Sequence, residues 1–204
     1  MKKKPAVQEK NNGEGVLFPY TETGRQMLHG GVPLCCAETL TADSAGEEET
    51  AERIIARCAE NGCAVRIFGR SGTEAEQTSL FRSIYRASAE CSVIAVIPAV
   101  VLPSETEQVR SWAAAARNEL KEKDIPFGRL RAGIAVETPS AAILADLLAP
   151  MVDFFVLHPS ALIQSLGVAH SMKGDNPMPE SVMRCMKMTC AAARREGIEV
   201  YLEK

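Results

Sequence analysis

From Ser44 onward the chain alternates between stretches with apolar residues at helical spacing and short unbroken apolar runs. That alternation predicts β-α units around a parallel sheet. Ser44-Ala45-Gly46-Glu47 has the S-x-x-E form of a capping box, Ile54, Ile55 and Cys58 make an apolar stripe, and Gly62 supplies a left-handed stop, so a helix is expected between them. Residues 64–68 read as a strand, a helix follows over about 74–89, and residues 93–97 read as the next strand. Ser104-Glu105-Thr106-Glu107 repeats the capping box before a helix reaching about Lys123, with Val109, Trp112, Ala116 and Leu120 on one side. Residues 133–136 form another apolar run that ends on a carboxylate, Glu137. Thr138 then serves as N-cap and Pro139 as first helical residue, opening a helix through Ala142, Ile143, Leu144, Leu147 and Leu148. Residues 154–157 return to the sheet. The final helix opens at Pro179-Glu180, packs Val182, Met186 and Ala193, and stops at Gly197 before a last strand over 198–202.

The beginning of the chain is less regular. Residues 1–14 are rich in Lys, Asn, Gln and Gly and read as a disordered tail. Val16-Leu17-Phe18 opens a strand, and residues 21–43, which include Val32-Pro33-Leu34-Cys35-Cys36, show no clear period and read as a loop holding one short strand. About six strands and five or six helices are fewer than the eight pairs of a closed barrel. The expected fold is therefore α/β, a shortened or partly open TIM-type (β/α) barrel occupying residues 15–204 as a single domain.

Composition narrows the classes of function. With 46% apolar residues in a 204-residue chain, one core is well supplied. A net charge of -3 with dispersed basic residues gives no electrostatic footprint for nucleic acid, and Lys2-Lys3-Lys4 reads as a solvated tail. No apolar run is long enough for a membrane span and none follows those lysines as a signal core, so no membrane partner and a cytoplasmic location are expected. The seven cysteines, at 35, 36, 58, 63, 91, 185 and 190, contain no C-x-x-C pair and suit reduced, buried thiols rather than disulfides or zinc.

In a (β/α) barrel the C-terminal ends of the strands carry the chemistry, which singles out Glu137 and His158. Glu137 either binds a cation or holds a loop by accepting backbone N–H bonds near the helix that starts at Pro139. His158 is either a replacement for lost ligand chemistry or a polar rim residue. Arg66, Arg70, Arg82 and Arg86 suit an anion site, but Arg82 and Arg86 are four apart, which equally describes a salt-bridged helix face. Asp153 reads as an edge or cap residue, the 172–176 loop as a connection, and Met183, Met186 and Met188 as fillers of core gaps.

The segments Leu80-Phe81-Arg82-Ser83-Ile84-Tyr85-Arg86-Ala87-Ser88, Ile97-Pro98, Gly133 to Ala142, Val152-Asp153-Phe154-Phe155 and Leu162-Ile163-Gln164, with Glu47 to Ile67 more weakly, occur in one order. Together they resemble the C-terminal phosphoenolpyruvate-binding barrel of the PEP-utilising enzymes, in particular the Enzyme I branch of the bacterial sugar phosphotransferase system. The resemblance implies a mouth that binds phosphoenolpyruvate with Mg²⁺, where arginines and the metal neutralise a transferring phosphoryl group and a cysteine handles the enolpyruvate proton. On it, Glu137 is the retained metal ligand, and His158-Pro159-Ser160-Ala161-Leu162-Ile163-Gln164 stands where the family has G-T-N-D-L-x-Q. The second metal ligand is then Ala161, whose methyl group cannot hold a hard cation. The family's arginines fall on Phe18, Phe68 and Ser171, with Lys173 the nearest cation to the last, and its cysteine falls on Glu203.

These departures imply loss of most of the charge stabilisation that phosphoryl transfer needs. The expectation is a non-catalytic family member with no confident catalytic residue. Its weak ligand-binding candidates are Glu137, His158, Gln164, Arg66 and Arg70. It would act by self-association, through a protein partner, or by binding a phosphoenolpyruvate-like anion. No cofactor is expected, or Mg²⁺ at Glu137 if activity remains. The alternatives are a residual Mg-dependent phosphoenolpyruvate- or pyruvate-handling transferase or lyase, and a structural subunit of an assembly.

Overall fold

The computed structural model describes residues 37–40, 47–61, 63–67, 73–168 and 178–202, with side chains over 47–56, 73–168 and 178–202. The expected tail over residues 1–14, the Val16–Phe18 strand, Ser44, Gly62, Phe68, Arg70, the 172–176 loop and Glu203 lie outside these residues. Six parallel strands form one sheet in chain order: β1 (Ala37–Leu40), β2 (Cys63–Ile67), β3 (Val93–Ile97), β4 (Arg131–Val136), β5 (Phe154–Leu157) and β6 (Glu199–Leu202). Between them run α1 (Glu47–Asn61), α2 (Glu74–Ser88), α3 (Pro103–Glu122), α4 (Pro139–Ile143), α5 (Ala145–Leu148), α6 (Pro159–Ser165) and α7 (Glu180–Glu196). Every described strand pairs with the next in sequence, so the architecture is a partial (β/α) barrel. The first strand falls at Ala37–Leu40, just after the apolar run of residues 32–36.

Strand alternation splits the core into two layers. Val93, Ala95, Ile97, Ile134, Val136, Phe155, Leu157 and Val200 face the helices. Ile94, Val96, Ala135, Phe154, Val156 and Tyr201 form a separate buried cluster on the other, inner face. Gly133 belongs to that inner face, and glycine is required there because Phe154 crosses it. A Cβ at Gly133 would sit 2.6 Å from the Phe154 carbonyl oxygen and closer still to the ring.

Several local expectations need correction. The Ser104/Glu107 capping box does not form: Leu102 is the N-cap and Pro103 the first helical residue, which moves the start of α3 back by two residues. Glu105 then occupies the third position, and its carboxylate accepts from the Val101 and Leu102 amides at 2.7 and 3.1 Å. Helix α2 has a capping box that the pattern reading missed, with Thr73 and Glu76 reciprocally bonded. The single helix expected over 139–148 breaks at Leu144, whose φ of -90° and ψ of 12° leave the helical range. The break lets Ala141, Ala142, Ala145 and Leu148 all pack inward while Ile143 and Leu147 stay exposed. Helix α6 was not anticipated, although Pro159 at its first position is its signal. Met183 and Met186 are buried as expected, but Met188 is exposed on α7.

Arg82 ties the outer helices together. Its guanidinium bonds Glu47 of α1, with Nε at 2.8 Å, and Glu119 of α3 at 2.7 Å. The bond from Arg82 is the largest influence on Glu47 and, against partial burial, holds its carboxyl below the ordinary range. Arg86 pairs with Glu48. The two arginines thus form a salt-bridged face rather than an anion site. No described helix is long and apolar enough to cross a membrane.

Candidate functional site

Register explains why Glu137 and His158 meet. Val136 of β4 pairs with Leu157 of β5, so the residues that follow lie side by side at the C-terminal ends of adjacent parallel strands. Each also continues the inner-face alternation, two residues beyond Ala135 and Val156 respectively. His158 Nδ1 lies 3.2 Å from Glu137 Oε1. An ionised carboxylate only accepts hydrogen bonds, so with Glu137 ionised the hydrogen of the pair sits on Nδ1. The two side chains are 26% and 15% exposed, enough to reach solvent from a largely enclosed position.

The other carboxylate oxygen of Glu137 accepts from the Ala99 amide at 3.0 Å. Ala99 has φ of 51°, in the left-handed region that costs an L-residue with a Cβ about 1 kcal/mol. Two further side chains from the same loop grip the neighbouring backbone: Thr138 Oγ1 donates to the Val100 carbonyl at 3.1 Å and Ser140 Oγ to the Val101 carbonyl at 2.9 Å. Thr138 also caps α4 by accepting from the Ala141 amide. The E-T-P-S segment is therefore a clasp that pins residues 99–101 across the mouth.

The remaining candidates are more scattered. Gln164 is exposed on α6. Arg66 lies in β2, and its side chain is outside the described set, as is Arg70 altogether. Asp153 takes the cap role of its two readings: its carboxylate accepts from the Ala132 amide and its own amide donates to the Ala132 carbonyl, both at 2.8 Å, which fixes the entry of β5 beside β4. Among the described residues no group of three or more His, Cys, Asp and Glu side chains converges in a way that would hold a metal.

A second polar group, absent from the sequence reading, closes the opposite end of the inner face. Arg131 of β4 reaches over the Phe154 ring, 5.3 Å from its centroid, to pair with Glu199 of β6. Tyr201 donates to the same Glu199 oxygen at 2.7 Å. Burial works against the Arg131 charge, but the bonds from Glu199 and Tyr201 outweigh it and raise its pKa. Burial, then the bond to Glu199, raises the Tyr201 phenol.

The model of the PEP-utilising enzyme, PEP-binding domain matches residues 62–202 of this chain. The chain belongs to that family. The PEP-binding domain assignment is supported by sequence relatives such as the phosphoenolpyruvate-protein phosphotransferase of Haemophilus influenzae, 32% identical over 122 residues. That match covers 57% of this chain but only 21% of the relative, so the chain spans about a fifth of the curated relatives it matches. Among solved structures, citrate synthase SbnG superimposes with a TM-score of 0.55 at 14% identity, covering 82% of this chain and 67% of that one. A citrate lyase from Burkholderia xenovorans superimposes with a TM-score of 0.57 at 17% identity, covering 81% and 55%. At those identities the likeness speaks for the partial barrel alone.

For a PEP-binding domain the expected metal is Mg²⁺, and the described residues at the mouth do not fit it. Magnesium asks for near-octahedral oxygen donors. Here the oxygen of Glu137 faces an imidazole nitrogen, and the first turn of α6 carries Ala161 where the resemblance places the second carboxylate.

Proposed function

We propose that this chain is a non-catalytic PEP-binding domain, a module that recognises a small phosphoenolpyruvate-like anion without transferring its phosphoryl group. The observation that carries the reading is the engagement of Glu137 by the Ala99 amide and the His158 imidazole, which ties the retained carboxylate into the protein's own structure. Phosphoryl transfer depends on preorganised positive charge at the transferring group; on the resemblance, Phe18, Phe68 and Ser171 stand where the family keeps arginines and Ala161 where it keeps its second metal ligand. The test is calorimetry with phosphoenolpyruvate on the full chain, with and without Mg²⁺, accompanied by phosphorus NMR. Binding that is independent of Mg²⁺, with phosphoenolpyruvate left intact, is expected. Binding that requires Mg²⁺, or conversion of phosphoenolpyruvate, overturns the reading.

Self-association is a second reading, favoured by the sheet itself: among the described residues β1 and β6 each pair on one side only. Unpaired parallel edges invite a neighbour. Light scattering over a concentration series tests it, and a monomer at every concentration would count against it.

A further inference from the structure

We infer that this chain pairs with a second copy of itself through an apolar stripe on the outer surface of α4 and α5, where the loop after β3 meets them. The inference rests on the self-association reading but takes it to a surface other than the strand edges. Among the described residues five large apolar side chains are exposed, and four of them lie in this stripe: Val101 at 38%, Leu102 at 54%, Ile143 at 58% and Leu147 at 56%. Single exposed apolar residues are ordinary on a protein surface, whereas a contiguous group marks an interaction site. Here contiguity has a visible cause. Ser140 Oγ donates to the Val101 carbonyl at 2.9 Å, which holds the Val101-Leu102 end against α4. Ile143 and Leu147 follow Ser140 at the spacing of one helix face, and both stay outward across the break at Leu144 while Ala142, Ala145 and Leu148 turn inward.

The charges beside the stripe argue for a second copy as the occupant. Helix α3 packs against both α2 and α5, and Glu119, bonded to Arg82, marks its α2 side. Arg117, two residues earlier, points the opposite way, and Arg110 shares its face, so both exposed arginines stand on the α5 side. Asp146 is exposed next to Leu147 on α5, and its carboxylate accepts only from the adjacent Leu147 amide, at 3.1 Å. None of these three charges is held in an ion pair. In a two-fold contact a surface meets its own image, so a stripe bordered by one sign of charge would repel itself. A stripe bordered by both signs can instead set the arginines of one copy against Asp146 of the other. An apolar centre with a polar rim is also the composition of a protein interface. Four half-exposed side chains supply only part of the roughly 800 Å² per partner of a standard stable complex, so the dimer is expected to be weak and reversible.

The test is sedimentation velocity of the full chain over a micromolar-to-millimolar series. Expected is a monomer–dimer equilibrium that stops at the dimer, because a two-fold contact uses up the surface that makes it. Ile143→Lys and Leu147→Lys should each weaken the dimer by about tenfold or more. Arg110→Glu combined with Arg117→Glu should also weaken it, as should Asp146→Arg alone. Mixing those two charge variants should restore a dimer, because every reversed charge then faces the opposite sign. Assembly beyond the dimer, a dimer indifferent to both lysine variants, or a mixture that stays monomeric overturns the inference. A measurement on the unmodified chain guards against variants that do not fold: the Ile143 and Leu147 methyl resonances should shift as concentration rises. Methyl groups that never shift overturn the site, as do methyl groups already shielded from a soluble paramagnet at the lowest concentration, which would mean that the chain covers the stripe itself. A monomer at every concentration removes this inference and self-association together, whereas a dimer that survives both lysine variants removes this inference alone.

Discussion

At the floor of the inner face, Glu199 accepts from Arg131 and Tyr201, and all three side chains leave regular strands. At the mouth, Glu137 accepts from Ala99 and pairs with His158, both beyond the strand ends, and Ala99 is held at positive φ. The floor joins side chain to side chain across β4, β5 and β6, with Phe154 and Tyr201 in an edge-on contact beneath, ring centroids 5.3 Å apart. The mouth instead recruits loop backbone and stores strain in it. Residues kept in sparsely populated backbone regions persist only where their surroundings over-determine them, and they cluster at binding sites. The floor is thus built for stability, and the mouth for holding a loop in place.

The largest expected effect tests the floor. Gly133→Ala should cost about 3 kcal/mol in urea unfolding, because the added Cβ meets the Phe154 backbone as well as its ring, and backbone cannot rotate away. A cost below about 1 kcal/mol would mean that the floor yields, and the contrast with the mouth would disappear. Next comes Glu137→Ala, which removes the acceptor of the Ala99 amide and the partner of His158. It should cost about 2 kcal/mol. Hydrogen exchange should show the Ala99 to Val101 amides opening, while β4 to β6 stay protected.

Tyr201→Phe is smaller, about 1 kcal/mol, and pH separates it from the mouth. The Tyr201 pKa is raised in the folded chain by burial and by its bond to Glu199. A raised folded pKa contributes stability that is complete below the unfolded value of about 10 and is lost as pH rises through the folded value. Wild type should therefore lose stability above about pH 10, and Tyr201→Phe should flatten that decline. An identical alkaline slope in both proteins would place the loss elsewhere, with Tyr85, also raised by burial, the first alternative.

Much of this fold was legible because its signals are local. Residues 93–97 and 154–157 read as strands from unbroken apolar runs, and Gly197 read as a helix stop that the structure places at φ of 69°. The mouth was legible in part: alternation and strand ends identified Glu137 and His158, and a backbone-accepting role was one of the two offered for Glu137. What a single chain pattern cannot carry is register, and register alone puts residue 137 beside 158. The same holds for Arg131, Glu199 and Tyr201, whose separation by some seventy positions hides a network that only the β4-β5-β6 order assembles. The Leu144 break was hidden for another reason: the alanines and leucines around it favour helix, and packing of the alanines overrides that preference.

The smallest effect gives the clearest contrast of sign. Replacing alanine by glycine inside a strand costs roughly 1 kcal/mol, because the unfolded chain gains freedom and no strain is relieved. Ala95, fully buried in the middle of β3, should show that loss. Four residues later, Ala99→Gly relieves a left-handed penalty of about the same size, so the two terms nearly cancel and stability should change by less than about 0.5 kcal/mol. Paired urea melts of Ala95→Gly and Ala99→Gly measure the difference directly. Equal losses would show that Ala99 carries no strain. The E-T-P-S clasp would then be holding a loop that already prefers its conformation, leaving Glu137 without a mechanical task at the mouth.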